Sequence, residues 1–214
     1  MNVMRGNEPV DRLQRCPVCD GTTFANSDVL WPELISAWQL SPPEINYINR
    51  QQGACCGSCG NNLRAMGLAA AIMRELAFKG TFSDFCTSGL ALSLLEINPA
   101  ANLTGFLRSL SGHRLVEYPD FDMQDLAIPS GSYDLVIHSD TLEHVSKPVR
   151  GLAECRRVLK SGGKCIFTVP IIVERMTRSR TGLEPSYHGQ SGVLANDQIV
   201  CTEFGADAWQ AVLK

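Results

Sequence analysis

The sequence predicts an α/β fold: a doubly wound, mostly parallel sheet preceded by a small helical, cysteine-rich module. Three observations carry this expectation. From about residue 90 onward, short apolar runs alternate with helix-period segments, the signature of β-α-β units. Gly, Pro and Asn clusters punctuate those runs. Ahead of them stand two Cys-x-x-Cys knuckles, at residues 16–19 and 56–59. A chain of 214 residues holds one such domain and an appendage. The expected organisation is a zinc-ribbon-like module over residues 1–62, a linking helix over 63–80 and a Rossmann-like domain over 81–214.

Composition narrows the partners. With 44% apolar and 19% charged residues the chain can build an ordinary core. Its net charge of -3 provides no overall basic surface for nucleic acid. No apolar run reaches the roughly 18 residues of a membrane helix, and the N-terminus lacks the apolar core of a signal peptide. A cytoplasmic location is expected.

The nine cysteines are an odd number, and four of them stand in paired Cys-x-x-Cys spacings rather than scattered as a disulfide framework would be. Zinc takes four soft ligands tetrahedrally, and a Cys-x-x-Cys turn presents two thiolates from one tight loop. Cys16, Cys19, Cys56 and Cys59 are therefore the expected zinc ligands, with Cys55 spare. Such a metal would replace a hydrophobic core that a module this small cannot supply. Cys86, Cys155, Cys165 and Cys201 sit in apolar or helical contexts and read as small core residues.

Between the knuckles, Leu34, Ile35 and Trp38 follow a helical period. Ser41-Pro-Pro-Glu44 is a capping box that opens a second helix, which stops at Gly53. Over residues 61–78, Leu63, Met66, Ala69, Ala70, Met73 and Leu76 make an amphipathic helix.

The α/β core follows in order. Residues 90–97 form a first strand ending in Glu96, followed by a turn and a helix over 103–110. Second and third strands are expected over 113–118 and 133–138, a helix over 149–159 and a further strand over 164–169. Beyond Pro170, a loop carrying Arg175, Arg178 and Arg180 leads to one strand over 198–202 and a helix over 206–214. A complete domain of this type ends in two antiparallel strands, so an exposed edge is expected unless a second copy covers it.

The run DLAIPSGSYDLVIHSDTLEHVSKPVRGLAECRRVLKSGGKCIFTVP, residues 125–170, resembles the class I S-adenosylmethionine (SAM)-dependent methyltransferases. It combines the Tyr-Asp-Leu-Val strand, the Leu-Glu-His-Val turn and the Leu-Lys-Ser-Gly-Gly turn in the family's order. The resemblance implies SAM as cofactor and assigns it residues. Glu96 matches the first-motif acid, Glu117 the acid that accepts from the ribose hydroxyls, and Asp122 with Met123 the adenine contacts. His138 and Ser139 would lie near the methionine portion. Where the family has a glycine-rich loop, this chain has Glu96-Ile-Asn98-Pro-Ala100-Ala-Asn102. Asparagine tolerates a left-handed backbone and alanine is small, so Asn98 and Ala100 are expected to keep the loop close to the cofactor.

Methyl transfer is a displacement at a reactive sulfonium, so alignment does most of the work, and a base is needed only where the acceptor loses a proton. His144, Tyr187 and His188 are the acceptor-side candidates. The expected activity is methyl transfer to a small acceptor, the three loop arginines suggesting an anionic one. Two other readings stand beside it: a non-catalytic binding module with a degenerate cofactor loop, and an RNA methyltransferase that reads its substrate through the zinc module.

Overall fold

The computed structural model describes residues 14–187 and 198–213. Its central sheet has the order β4-β3-β5-β6, built from β3 (Leu94–Ile97), β4 (His113–Val116), β5 (Tyr133–Ser139) and β6 (Leu159–Thr168). All its neighbouring strands are parallel. The chain winds outward from β3 to β4, then returns past β3 to β5. The carboxyl ends of β3 and β5 therefore flank the topological switch point, where α/β sheets bind ligands. Every residue of β3 is buried, as are all of β5 except Asp134. Such strands carry mostly apolar sequence rather than alternation, as Leu94-Leu-Glu-Ile97 and Tyr133-Asp-Leu-Val-Ile-His-Ser139 do apart from the buried Glu96, His138 and Ser139 and the partly buried Asp134.

Helices α5 (Leu103–Leu107) and α6 (Pro148–Val158) connect these strands. In α6 the buried positions Gly151, Cys155 and Val158 recur at helical spacing, and Pro148 occupies the first turn, where no N–H bond is lost. The three-residue 3-10 turn Leu142–His144 joins β5 to α6.

The cysteine-rich segment folds as β1 (Phe24–Asn26), α1 (Pro32–Trp38), α2 (Pro42–Gly53) and β2 (Ala54–Cys56), with β1 and β2 antiparallel. The capping box that opens α2 forms as its sequence dictates. Ser41 accepts from the Glu44 N–H, and Glu44 accepts from the Ser41 N–H at 2.6 Å. Gly53, the last residue of this helix, has to be glycine because a Cβ there would stand 1.8 Å from the Ser27 carbonyl oxygen. The pairing of β1 with β2 was not foreseen from the sequence.

Helix α3 (Leu63–Glu75) buries Ala65, Met66, Leu68, Ala69, Ile72 and Met73. They share one core with Cys16, Val18 and Cys56 on one side and Leu94, Leu135 and Ile137 on the other. The short α4 (Phe82–Thr87), unanticipated, adds Phe82 and Phe85 to that core. A second core beneath α6 contains Leu95, Val136, Cys155 and Val158.

At the far end, β7 (Ile171–Ile172), β8 (Arg178–Ser179) and β9 (Thr202–Gly205) form a small sheet of order β7-β9-β8. One terminal strand was expected over 198–202; β9 lies further on, and residues 208–211 form a 3-10 turn instead of a helix. This sheet is held to the cysteine-rich segment. Arg175 donates to Glu44 at 2.5 and 2.9 Å and to the carbonyls of Trp38 and Gln39. Trp38, Leu40, Ile172 and Val200 bury together at that junction. Among the described residues, no helix is long and apolar enough to cross a membrane.

Candidate active site

A cavity of about 780 Å³ opens at the carboxyl ends of β3, β4 and β5. Its volume lies within the roughly 300–1,000 Å³ typical of small-molecule sites. Asn98 and Pro99 after β3, Glu117 after β4, Asp122 and Met123, and Asp140 and Thr141 after β5 form its sheet side. His144, Glu143 and Arg64 also line it.

The loop after β3 keeps its close course without glycine. Asn98 and Ala101 take left-handed backbone angles, φ 58° and 51°. Asn98 is fixed further as its side-chain oxygen accepts from the Tyr118 N–H at 3.0 Å. Glu96 is fully buried and braces the loop from behind. Its carboxylate accepts from the Ala100 N–H at 2.8 Å, the Thr104 hydroxyl at 2.6 Å and His113 Nε2 at 2.6 Å. Neither Glu96 nor Ala100 lines the cavity, a correction to the expected direct contact: both support the loop, and Asn98 and Pro99 face the open space.

Glu117 is exposed on the cavity, as is Asp122, whose carboxylate accepts from the Gln124 N–H at 2.8 Å. Met123 lines it while packing against Gly151 of α6. His138 and Ser139 do not reach it. His138 turns under α6, stacks on Phe167 at 4.5 Å between ring centroids, and groups with Cys155 and Cys165, their ligand atoms all within 4.8 Å of one another. Ser139 shares a hydrogen bond with the Thr168 hydroxyl. The next two residues, Asp140 and Thr141, take the places on the cavity that the sequence suggested for them.

His144 lines the cavity, and its Nδ1 lies 2.9 Å from the Ile199 carbonyl. A carbonyl only accepts, so Nδ1 carries the proton and Nε2 is the basic nitrogen. Nε2 is 3.7 Å from Glu143 Oε1. Burial pushes the Glu143 carboxyl above the usual carboxylate range, against the opposing pull of His144 and Arg64. Arg64, brought in by α3, pairs with Asp140. Tyr187 forms a β-bridge with Ile199 and is not among the lining residues, while His188 lies outside the described residues.

The loop arginines are committed elsewhere: Arg175 to Glu44, Arg178 and Arg180 to Glu203. Neither Arg178 nor Arg180 lines the cavity, which removes the residues that suggested an anionic acceptor.

Away from the cavity, the sulfurs of Cys16, Cys19, Cys56 and Cys59 all lie within 4.8 Å of one another. Cys16 to Cys59 and Cys19 to Cys56 are each 3.7 Å. Four ligands about 2.3 Å from a tetrahedral zinc would stand about 3.8 Å apart. The Ser58 N–H and the Asn61 amide each donate to a sulfur at 3.4 Å, the outer hydrogen bonding that orients thiolate ligands.

An open parallel sheet with a cavity at its switch point is the arrangement of Rossmann-like folds. Within it, residues 77–167 match the family model described as a methyltransferase domain. The ubiquinone biosynthesis O-methyltransferase of Nitrosococcus oceani is 23% identical over 130 residues, 60% of this chain and 50% of that protein. The demethylmenaquinone methyltransferase of Clavibacter sepedonicus is 41% identical over 66 residues, 29% of this chain and 27% of that protein. A SAM-dependent methyltransferase structure from Aquifex aeolicus overlays 32% of this chain and 51% of its own at 12% identity, with a TM-score of 0.28. The chain spans about half the length, or less, of the curated relatives it matches.

Proposed function

We propose that this protein is a SAM-dependent methyltransferase acting on a small molecule. The observation that carries the reading is that one cavity is shared by Asn98, Glu117, Asp122 and Met123, which the sequence reading gave to the cofactor, and by His144, a catalytic candidate. When bound, SAM supplies a methyl group on a sulfonium. The chain's own residues would do the rest. Glu117 accepts hydrogen bonds from the ribose hydroxyls, and Asp122 with Met123 receives the adenine. Asn98 holds the loop open for the amino-acid end. His144 Nε2 takes the proton where the acceptor is a hydroxyl, and its tautomer is already set by Ile199.

The small-molecule reading is favoured over an RNA acceptor by the acidic character of the cavity, where Glu117 and Asp122 would repel a phosphate backbone. A bound zinc at Cys16, Cys19, Cys56 and Cys59 belongs to the proposal as a structural ion: the four thiolates close the coordination sphere and leave no open position. Demethylmenaquinone, which one relative's name states, is an acceptor to assay.

Titration of S-adenosylhomocysteine (SAH) into the full chain by calorimetry tests the reading. Binding in the micromolar range is expected, weakened at least tenfold in Glu117→Ala by loss of hydrogen bonds to a charged acceptor. No heat at millimolar SAH would sink it and leave a methyltransferase-like fold without the cofactor.

A further inference from the structure

The cavity has two unlike sides. The loops after the strands, with Arg64 of α3, carry its charged groups, Glu117, Asp122 and the Asp140–Arg64 pair, and Glu143 stands beside His144. The facing side comes from the cysteine-rich segment and the terminal strands. There Leu30, Trp31, Leu34 and Ile48 line the space with Ile172 and Ile199, and the polar groups from α2 are the amides Gln51 and Gln52. No described lining residue between 29 and 52, or between 170 and 199, is charged.

That side is built rather than incidental. The Val29 and Leu30 N–H groups both donate to Asn49 Oδ1, at 2.9 and 3.2 Å, which ties the strand-to-helix link to α2. The Trp38 indole N–H donates to the Ser186 hydroxyl at 2.6 Å, fixing the end of α1 against the far end of the chain. Arg175 is turned to Glu44 and caps α1 from outside, and Arg180, whose guanidinium lies 5.7 Å from the centre of the Trp38 ring, is paired with Glu203. A carboxylate or phosphate placed here would lose its hydration and meet no cation among the lining residues of this side, while Arg64, the cation of the other side, is already paired with Asp140. An indole and branched aliphatic groups favour a flat apolar molecule.

We infer that α1 and α2 form the acceptor-selecting wall of this cavity, and that the acceptor is an uncharged aromatic molecule whose hydroxyl meets His144. The inference rests on the methyltransferase reading for the word acceptor, and on the lining alone for the chemical class. The cysteine cluster then has a second consequence: by holding β1 and β2 together, it shapes the wall that α1 and α2 present.

Equilibrium dialysis of the full chain, saturated with SAH, against 1-naphthol and the nearly isosteric anion 1-naphthoate tests it. Binding of 1-naphthol at least tenfold tighter than 1-naphthoate is expected, the difference arising from the unpaired anion. Leu34→Asp should weaken 1-naphthol at least tenfold with SAH affinity unchanged. Gln51→Lys, on the half-buried face of α2, should shift preference toward 1-naphthoate, and it keeps the test open where Leu34→Asp fails to fold. Equal or tighter binding of 1-naphthoate to the parent chain, no binding of either probe at millimolar concentration, or indifference to both variants would overturn the inference. Selective 1-naphthol binding in a chain that takes up no SAH would support the wall and refute the methyltransferase reading.

Discussion

The side-chain amide of Asn102, at the end of the loop after β3, donates to the carbonyl oxygen of Cys59 at 3.3 Å. The second cysteine knuckle therefore touches the loop proposed to hold the cofactor. The fit is tight, since a Cβ on Gly60 would stand 2.7 Å from the same amide. Asn102→Ala should weaken SAH binding several-fold, on the scale of about 1 kcal/mol for one hydrogen bond, with zinc content unchanged. Calorimetry and elemental analysis on the same preparation check both halves.

The cysteine cluster predicts its own stoichiometry. Zinc should be present at close to one ion per chain, and Cys59→Ser should lower it. Chelation should abolish the cooperative thermal transition, because four sulfurs carry the packing of Cys16, Val18 and Cys56 against α3. A cooperative transition untouched by complete zinc removal would contradict a structural role.

Glu44 and Arg175 fasten the terminal sheet to α2, with Glu44 almost fully buried. Hydrogen bonding from Arg175 holds the Glu44 carboxyl below its ordinary value. A depressed carboxyl contributes stability in full above the unfolded value of about 4.3, and that contribution is lost as pH falls through the folded value. Glu44→Gln should therefore cost on the order of 2 kcal/mol at neutral pH and progressively less below pH 4, read as the difference in denaturation midpoint.

Glu143 has the opposite sign. Its raised value means the folded state keeps a proton that the unfolded state releases, so stability is lost as pH rises through the folded value. Glu143→Gln should gain thermal stability relative to the parent as pH increases above about 5, and show no gain at pH 4. A difference that shrinks with rising pH would refute the assignment.

The His144 tautomer is directly observable. Nitrogen-15 spectra at pH 8 should show Nδ1 protonated and Nε2 bare, as the contact with the Ile199 carbonyl requires. The reverse tautomer would remove His144 as the base.

Much of this architecture was legible in local sequence. The Ser41 to Glu44 capping box, the paired knuckles, the helical period of α3 and the apolar runs of β3 and β5 each rest on chemistry within a few residues, and each formed. His138 and Ser139 were misplaced for a definite reason. β5 is buried on both faces, so no polar alternation reveals which side chains look out beyond the strand. The two-residue strands β7 and β8 are too short for a periodic signal. Three arginines near one another looked like an anion site because their partners, Glu44 and Glu203, are brought to them by folding from 131 and 23 to 25 positions away. The apolar wall from α1 and α2 depends on that same long-range packing, and nothing local announces it.

A structure of the full chain with SAH bound bears most directly on the central claim. The account predicts the adenosine beside Glu117, Asp122 and Met123, with the amino-acid end at Asn98 and the sulfur facing the space between His144 and Trp31. Ligand seated elsewhere, or a chain that excludes SAH because Pro99 and Asn98 fill its place, would contradict it.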